Sequence, residues 1–185
     1  MRRAIAYASM ERDELSLADY DTLLARSPES WSAYHNRGIV NDRLGRLEDA
    51  LRDYAAAIAG SPRLLLWSYI NHADCLARLD RREEAIASLT RLIDHPRARP
   101  HDIATSLAHR GMYLAKVGRF DEATADFARA LDLQPTNFAA WYQRGVAWAA
   151  QGDHEQALAN YDAAIAIAAN NHYAWKRRGD SLAAL

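Results

Sequence analysis

The segment Gly45-Arg46-Leu47-Glu48-Asp49-Ala50 returns as Gly118-Arg119-Phe120-Asp121-Glu122-Ala123 and again as Gly152-Asp153-His154-Glu155-Gln156-Ala157. Ala123 and Ala157 stand 34 residues apart, and so do Pro28 and Pro62. A fixed period of this length constrains the fold more than any other feature of the chain. Each unit is too small to bury its apolar face alone, so neighbours must stack to complete a core. The 185 residues therefore read as one repeat domain with units at about 1–30, 31–65, 66–103, 104–137 and 138–171, and a terminal helix at 172–185.

Within a unit, apolar residues fall at helical spacing on both sides of a glycine-containing turn, which predicts two amphipathic helices. In the unit from Trp31, Tyr34 and Gly38 share one helix face, and Ala50, Tyr54 and Ala57 share a face of the next helix. Small residues let the backbones approach, and large ones fill the remaining gap. Proline near the end of the unit stops the second helix, because its ring and missing N–H cannot continue the ladder.

Laid on the 34-residue ruler, the fourth position of successive units is Tyr34, Tyr69, Leu107, Trp141 and Trp175, and the eighth is Ala4, Gly38, Ala73, Gly111, Gly145 and Gly179. The twentieth is Ser16, Ala50, Ala85, Ala123 and Ala157, and the twenty-fourth is Tyr20, Tyr54, Leu89, Phe127 and Tyr161. This pattern resembles the tetratricopeptide repeat (TPR) family over almost the whole chain. The resemblance implies an all-α fold: a right-handed α-α superhelix of about five helix pairs closed by a C-terminal capping helix. The unit from Leu66 departs most, with Asp80 in place of the turn glycine and Leu89 in place of the aromatic. After it, the linker from His95 to Asp102 carries two prolines and lengthens the period by about four residues, as a loop insertion does at little cost.

The seventh position is Arg3, Arg37, His72, Arg110, Arg144 and Arg178, and the twenty-third is Asp19, Asp53, Ser88, Asp126 and Asn160. The acid disappears where the arginine does. We therefore expect pairs between facing helices, formed by forked guanidinium groups on carboxylates, and not a nucleic-acid stripe.

The resemblance further implies that function resides in a concave groove lined by the first helix of each unit. Its sixth position gives Asn36, Asn71, His109 and Gln143, flanked by Arg2 and Arg177, side chains suited to the backbone of an extended peptide. This is similar to the asparagine ladder of TPR regions in protein O-glycosyltransferases. The thirteenth position adds Arg43, Arg78 and Lys116, a basic edge favouring acidic segments. His35 and Tyr142 at the fifth position, and Trp67 and Tyr173 at the second, are the candidate anchors, although Trp67 serves equally as a plug for its irregular unit. The carboxylate clamp of chaperone-binding TPR proteins is not matched, since Ile39, Asp74, Met112 and Val146 stand where its asparagine belongs.

Composition narrows the function classes. Lys plus Arg number 23 against 24 Asp plus Glu, a net charge of -1 that leaves no bulk footprint for nucleic acid. No apolar run reaches the roughly 18 residues that a spanning helix requires, and the charged start Met1-Arg2-Arg3 meets Glu11 to Glu14 too soon for a secretory leader. Cys75 is the only cysteine, so a cytoplasmic home is the default. His72 and Cys75 lie one helical turn apart, but two side chains fall short of a structural zinc set. No phosphate loop or nucleophile elbow is present, and no cofactor or catalytic group is expected. The sequence thus points to a non-enzymatic adaptor for a protein or peptide partner, with no nucleic-acid or membrane partner. The alternatives are a self-assembling module that pairs through a repeat end, and a regulatory segment of a larger protein or enzyme complex.

Overall fold

The computed structural model describes residues 1–61 and 66–185. Pro62, whose distance from Pro28 helped to set the repeat, lies outside the described residues. The chain divides into two compact units, Met1–Ser88 and Leu89–Leu185. The first holds α1 (Arg2–Ser9), α2 (Asp13–Arg26), α3 (Trp31–Arg43), α4 (Leu47–Gly60), α5 (Leu66–Arg78) and the greater part of α6 (Arg82–Ile93). The second holds α7 (Pro100–Lys116), α8 (Phe120–Leu133), α9 (Phe138–Ala150), α10 (His154–Ile167) and α11 (His172–Ala183). The described residues contain helices and no strand, so the fold class is all-α.

The turns explain the recurring glycine. Gly45, Gly118 and Gly152 all have φ near +80°, at +75°, +82° and +82°, where a side chain is strained. Asp80 adopts the same left-handed backbone at +62° without that freedom. The helices after these turns begin with acids, Glu48 and Asp49, Glu83 and Glu84, or Asp121 and Glu122, which face the positive end of the helix dipole.

Three helix pairs are locked by a glycine that admits a ring. A Cβ built on Gly38 would lie 2.8 Å from Cε1 of Tyr54; on Gly111 it would lie 2.7 Å from Phe127, and on Gly145 2.7 Å from Tyr161. The three rings are completely buried. In the first unit Ala4, Leu17, Tyr20, Leu24, Ala33 and Val40 form one core cluster, and in the second Ile93, Leu107, Ala108, Ala130, Leu131 and Ala140 form another.

The expected cross-helix pairs are present. The Arg37 guanidinium donates from Nη2 to Asp53 at 2.6 Å, and Arg110 grips Asp126 through Nε and Nη2, each at 2.7 Å. Arg3 holds Asp19 in the same way, and His72 Nδ1 meets Ser88 Oγ at 3.0 Å. A second contact reaches back to the preceding helix, from Arg37 to Asp21, from Arg110 to Thr90 and from Arg178 to Asp162. Arg144 departs from the pattern: its Nε donates to the Asn160 amide oxygen at 2.5 Å and its guanidinium lies 4.5 Å from the Trp141 ring centre.

Two sequence expectations need correction. The linker is not loop as far as Asp102, because α7 starts at Pro100 and runs for 17 residues where α3 and α9 have 13. The insertion is absorbed as an added helical turn. Pro100 needs no N–H partner there, and the Asp102 carboxylate accepts from the Arg99 backbone N–H at 3.2 Å. Trp67 does not plug its unit, since it is 59% exposed. On the terminal helix Tyr173, Trp175 and Leu182 are all more than half exposed.

Candidate functional site

In the first unit, several of the residues singled out from the sequence are engaged with neighbouring side chains. His35 and Asn36 on α3 and Asn71 on α5 are half-buried. His35 Nδ1 lies 2.8 Å from Ser68 Oγ on α5, and its ring sits 5.8 Å from that of Tyr54. Burial lowers the His35 pKa, so the neutral ring is favoured. Arg43 is committed to Asp13 and Arg78 to Asp42. Asp42, one residue before Arg43, is thus the partner of an arginine of the basic edge. Ile39 on α3 and Trp67 on α5 are exposed apolar side chains of the same unit, at 40% and 59%.

A cavity of about 410 Å³ between α2, α3 and α4 is lined by Asp21, Arg37, Arg46, Asp49, Arg52 and Asp53 together with Leu17, Tyr34 and Asn41. Arginines and aspartates are equal in number on this wall. The Arg37 guanidinium is already paired with both Asp53 and Asp21.

The second unit differs. The side chains of Met112, Ala115, Lys116 and Phe120 face Gln143, Val146, Ala147 and Ala150 across an apolar pocket of about 140 Å³ between α7 and α9. Val146 and Ala150 also border a larger hollow of about 300 Å³, completed by Ala149, His154, Tyr161, Arg177, Asp180 and Ser181 of α9, α10 and α11. The two recesses are therefore neighbours. Lys116 stands at the outer end of one and Arg177 on the rim of the other, both exposed. Gln143 lines the first of them.

Helical spacing makes this arrangement. Met112 and Val146 occupy equivalent places in α7 and α9, and Ala150 lies one turn beyond Val146 on the same side. Short side chains at Ala115, Ala147 and Ala150 leave the space that a larger residue would fill. The ammonium of Lys116 rests 5.5 Å from the Tyr113 ring centre, which holds it at the pocket edge. Tyr142 packs against Phe138 at 5.7 Å and Tyr161 at 6.0 Å, so it supports the wall more than it offers a free anchor. His109 is half-buried on α7.

The pocket brings together Lys116 and Gln143, and the hollow adds Arg177. The apolar lining of Met112, Phe120, Val146 and Ala150 was not singled out. Its only sequence signal is a run of small and medium apolar residues at places where a solvated helix face would carry polar ones.

Chemically, this surface suits non-covalent capture. Cys75 is completely buried and its thiol is pushed up to about 12 by burial, so it carries no thiolate at neutral pH. His72, its neighbour, turns to Ser88. Among the described residues no three His, Cys, Asp or Glu side chains gather to hold a metal, and no helix is long and apolar enough to cross a membrane.

A family model described as tetratricopeptide repeat matches residues 1–63 and 110–172, about two thirds of the chain. Mouse (Mus musculus) DnaJ homolog subfamily C member 3 is 32% identical over 92 residues, which are 50% of this chain and 17% of that protein. The bovine (Bos taurus) protein of the same name is 30% identical over 92 residues, with the same coverage of each chain. The chain thus aligns with about a sixth of the length of these relatives. Among solved structures, YrrB, titled a TPR protein with an unusual peptide-binding site, superposes with a TM-score of 0.68 at 25% identity over 95% of this chain and 88% of its own. A thermophilic TPR protein of Thermus thermophilus superposes with a TM-score of 0.75 at 22% identity, covering 99% and 97%. A repeat fold of this kind serves as a scaffold for protein–protein interaction, and its relatives are generally non-catalytic. By the family match and the paired helices that carry it, the chain belongs to the tetratricopeptide repeat family.

Proposed function

We propose that the chain is a non-catalytic adaptor that holds an extended segment of a partner protein, with residues 89–185 supplying the principal contact surface. The observation that carries this reading is the pair of adjoining recesses around Val146 and Ala150, with Lys116 and Gln143 lining one and Arg177 the other. An aliphatic side chain of the partner fills the Met112–Val146 pocket, and burying it supplies the larger part of the affinity. Acidic side chains on either flank meet Lys116 and Arg177. Backbone amides of the segment, which need partners once desolvated, bond to Gln143 and His109, and Asn36 and Asn71 offer amides of the same kind on the first unit by itself.

The relatives support the same reading, since the YrrB structure is titled for a peptide-binding site. Balanced charge argues against nucleic acid as the partner, and the buried neutral thiol suits a reducing, cytoplasmic compartment. The boundaries of the units and their union into one repeat domain over 1–185 belong to this proposal. In the first unit, Arg43 and Arg78 add less than the sequence implies, because each must first release an aspartate.

The test is selection of binders from a library of extended peptides, followed by measurement of their affinity for the native chain and for Lys116→Glu with Arg177→Glu. Peptides carrying an aliphatic residue flanked by acids should be enriched, and the charge reversal should weaken them about tenfold or more. Enrichment of basic or uncharged peptides, insensitive to the reversal, would refute the proposal.

A further inference from the structure

The apolar pocket and the larger hollow of the second unit are one recess built twice. Moving 34 residues along the chain carries Phe120 onto His154, Gln143 onto Arg177, Val146 onto Asp180 and Ala147 onto Ser181. The first member of each pair lines the pocket and the second lines the hollow. The helices supply these places in the same order, α7, α8 and α9 for the one and α9, α10 and α11 for the other. Equivalent backbone thus holds two different chemistries side by side.

All four exchanges make the second recess more polar. A fifth, of Lys116 for Ala150, shortens the side chain at that place, and the space grows from about 140 to about 300 Å³. Part of the lining stays apolar, through Val146, Ala149 and Ala150. Arg177 and Asp180, one helical turn apart on α11, add a guanidinium donor and a carboxylate acceptor. His154 adds an imidazole whose Nδ1 is buried with no hydrogen-bond partner among the described residues. The buried Tyr161 phenol is pushed up to about 12, chiefly by its burial, while Arg177 acts to lower it and Asp180 to raise it. Both charges therefore reach the Tyr161 side of the hollow and oppose each other there. A carboxylate entering it gains Arg177 but meets Asp180, and an ammonium meets the reverse. An aliphatic side chain would cover these groups without replacing their hydrogen bonds to water. The lining suits a large apolar body that ends in a neutral group able both to donate and to accept, which is the description of a phenol.

We propose that the hollow is a tyrosine-selective subsite: the partner segment that sets an aliphatic side chain in the α7–α9 pocket sets a tyrosine in the hollow. Its ring lies against Val146, Ala149 and Ala150, and its hydroxyl accepts from Arg177 and donates to Asp180. The proposal rests on the capture of an extended segment argued above and adds the side chain that accompanies the aliphatic one. Arg177 carries enough N–H donors to hold the hydroxyl and a flanking acid together.

A peptide selected on the native chain is rebuilt as a set in which one position at a time, on either side of its aliphatic residue, carries Tyr, Phe, Glu or Lys. At one of these positions tyrosine should bind about tenfold tighter than phenylalanine, the scale of a hydrogen bond to a charged partner. Glutamate and lysine there should bind more weakly than tyrosine. The Ala149 methyl, which lines the hollow and not the pocket, should shift with the tyrosine peptide. His154→Phe with Asp180→Val gives the hollow the residues of the pocket and should abolish the preference for tyrosine over phenylalanine. Asp180→Val alone, at an exposed place, should weaken it in the same direction. Equal binding of tyrosine and phenylalanine at every position, or a preference unchanged in both variants, would overturn the proposal. If the capture of a segment itself fails, neither the Met112 nor the Ala149 methyl moves with any peptide. Shifts at Met112 without a tyrosine preference sink the subsite alone.

Discussion

The ring of Tyr54 occupies the space that a side chain on Gly38 would need, with Cε1 2.8 Å and Cδ1 2.9 Å from the position of a Cβ. Phe127 and Tyr161 repeat this relationship at Gly111 and Gly145, and Gly179 lacks it. Alanine is the better helix former by about 1 kcal/mol, but overpacking a tight core costs about 1–3 kcal/mol. Gly38→Ala and Gly111→Ala should therefore lower stability. Gly179→Ala should raise it slightly. Chemical denaturation of the three variants checks the opposed signs.

Asn160 gives Arg144 an amide where Arg37 and Arg110 receive a carboxylate. Carboxylate bonds raise the pKa of Arg110, whereas burial lowers that of Arg144. Asn160→Asp should thus stabilise the chain by about 1 kcal/mol, the scale of a hydrogen bond gaining charge assistance in a half-buried site. Unchanged or lowered stability in thermal melting would show that the amide already satisfies the site.

Asp80 holds a left-handed backbone that glycine adopts freely. Its ion pair with Arg82 is exposed and contributes little. Asp80→Gly should stabilise by about 1 kcal/mol and Gly118→Ala should destabilise by a similar amount, reflecting the cost of a Cβ at positive φ. Urea titration of both variants tests the prediction.

Acidification acts through His35. Its folded pKa lies below the unfolded value because the ring is buried against Tyr54 and Ser68. The unfolded chain then binds the proton more readily, so stability is full above about pH 6.5, the ordinary value for histidine, and falls as pH drops through the folded pKa. His35→Gln should flatten this part of the stability curve. Melting temperatures measured from pH 7.5 to 5 in both proteins would show the difference.

Much of the fold was legible because its causes are local and repeated. The Gly45, Gly118 and Gly152 turns, the glycine–ring pairs and the arginine–aspartate pairs recur at fixed spacing, so each copy confirms the others. The linker after α6 was misread because its prolines signal a break, yet Pro100 also suits the first turn of a helix. The candidate site was harder to read. Polar residues such as Arg43 and Arg78 stand out in a sequence, but their aspartate partners lie 30 and 36 residues away, respectively. The pocket beside Lys116 is made by Ala115, Ala147 and Ala150, where the informative property is missing volume. Such an absence becomes visible only when α7 and α9 are side by side.

The most direct test follows the methyl resonances of Met112, Val146 and Ala150 while a selected aliphatic–acidic peptide is titrated into the labelled chain. Saturable shifts at these three groups, lost when Lys116 and Arg177 are reversed to glutamate, are the expected result. Binding that leaves all three unmoved and perturbs other residues instead would contradict a partner site on the α7–α9 face.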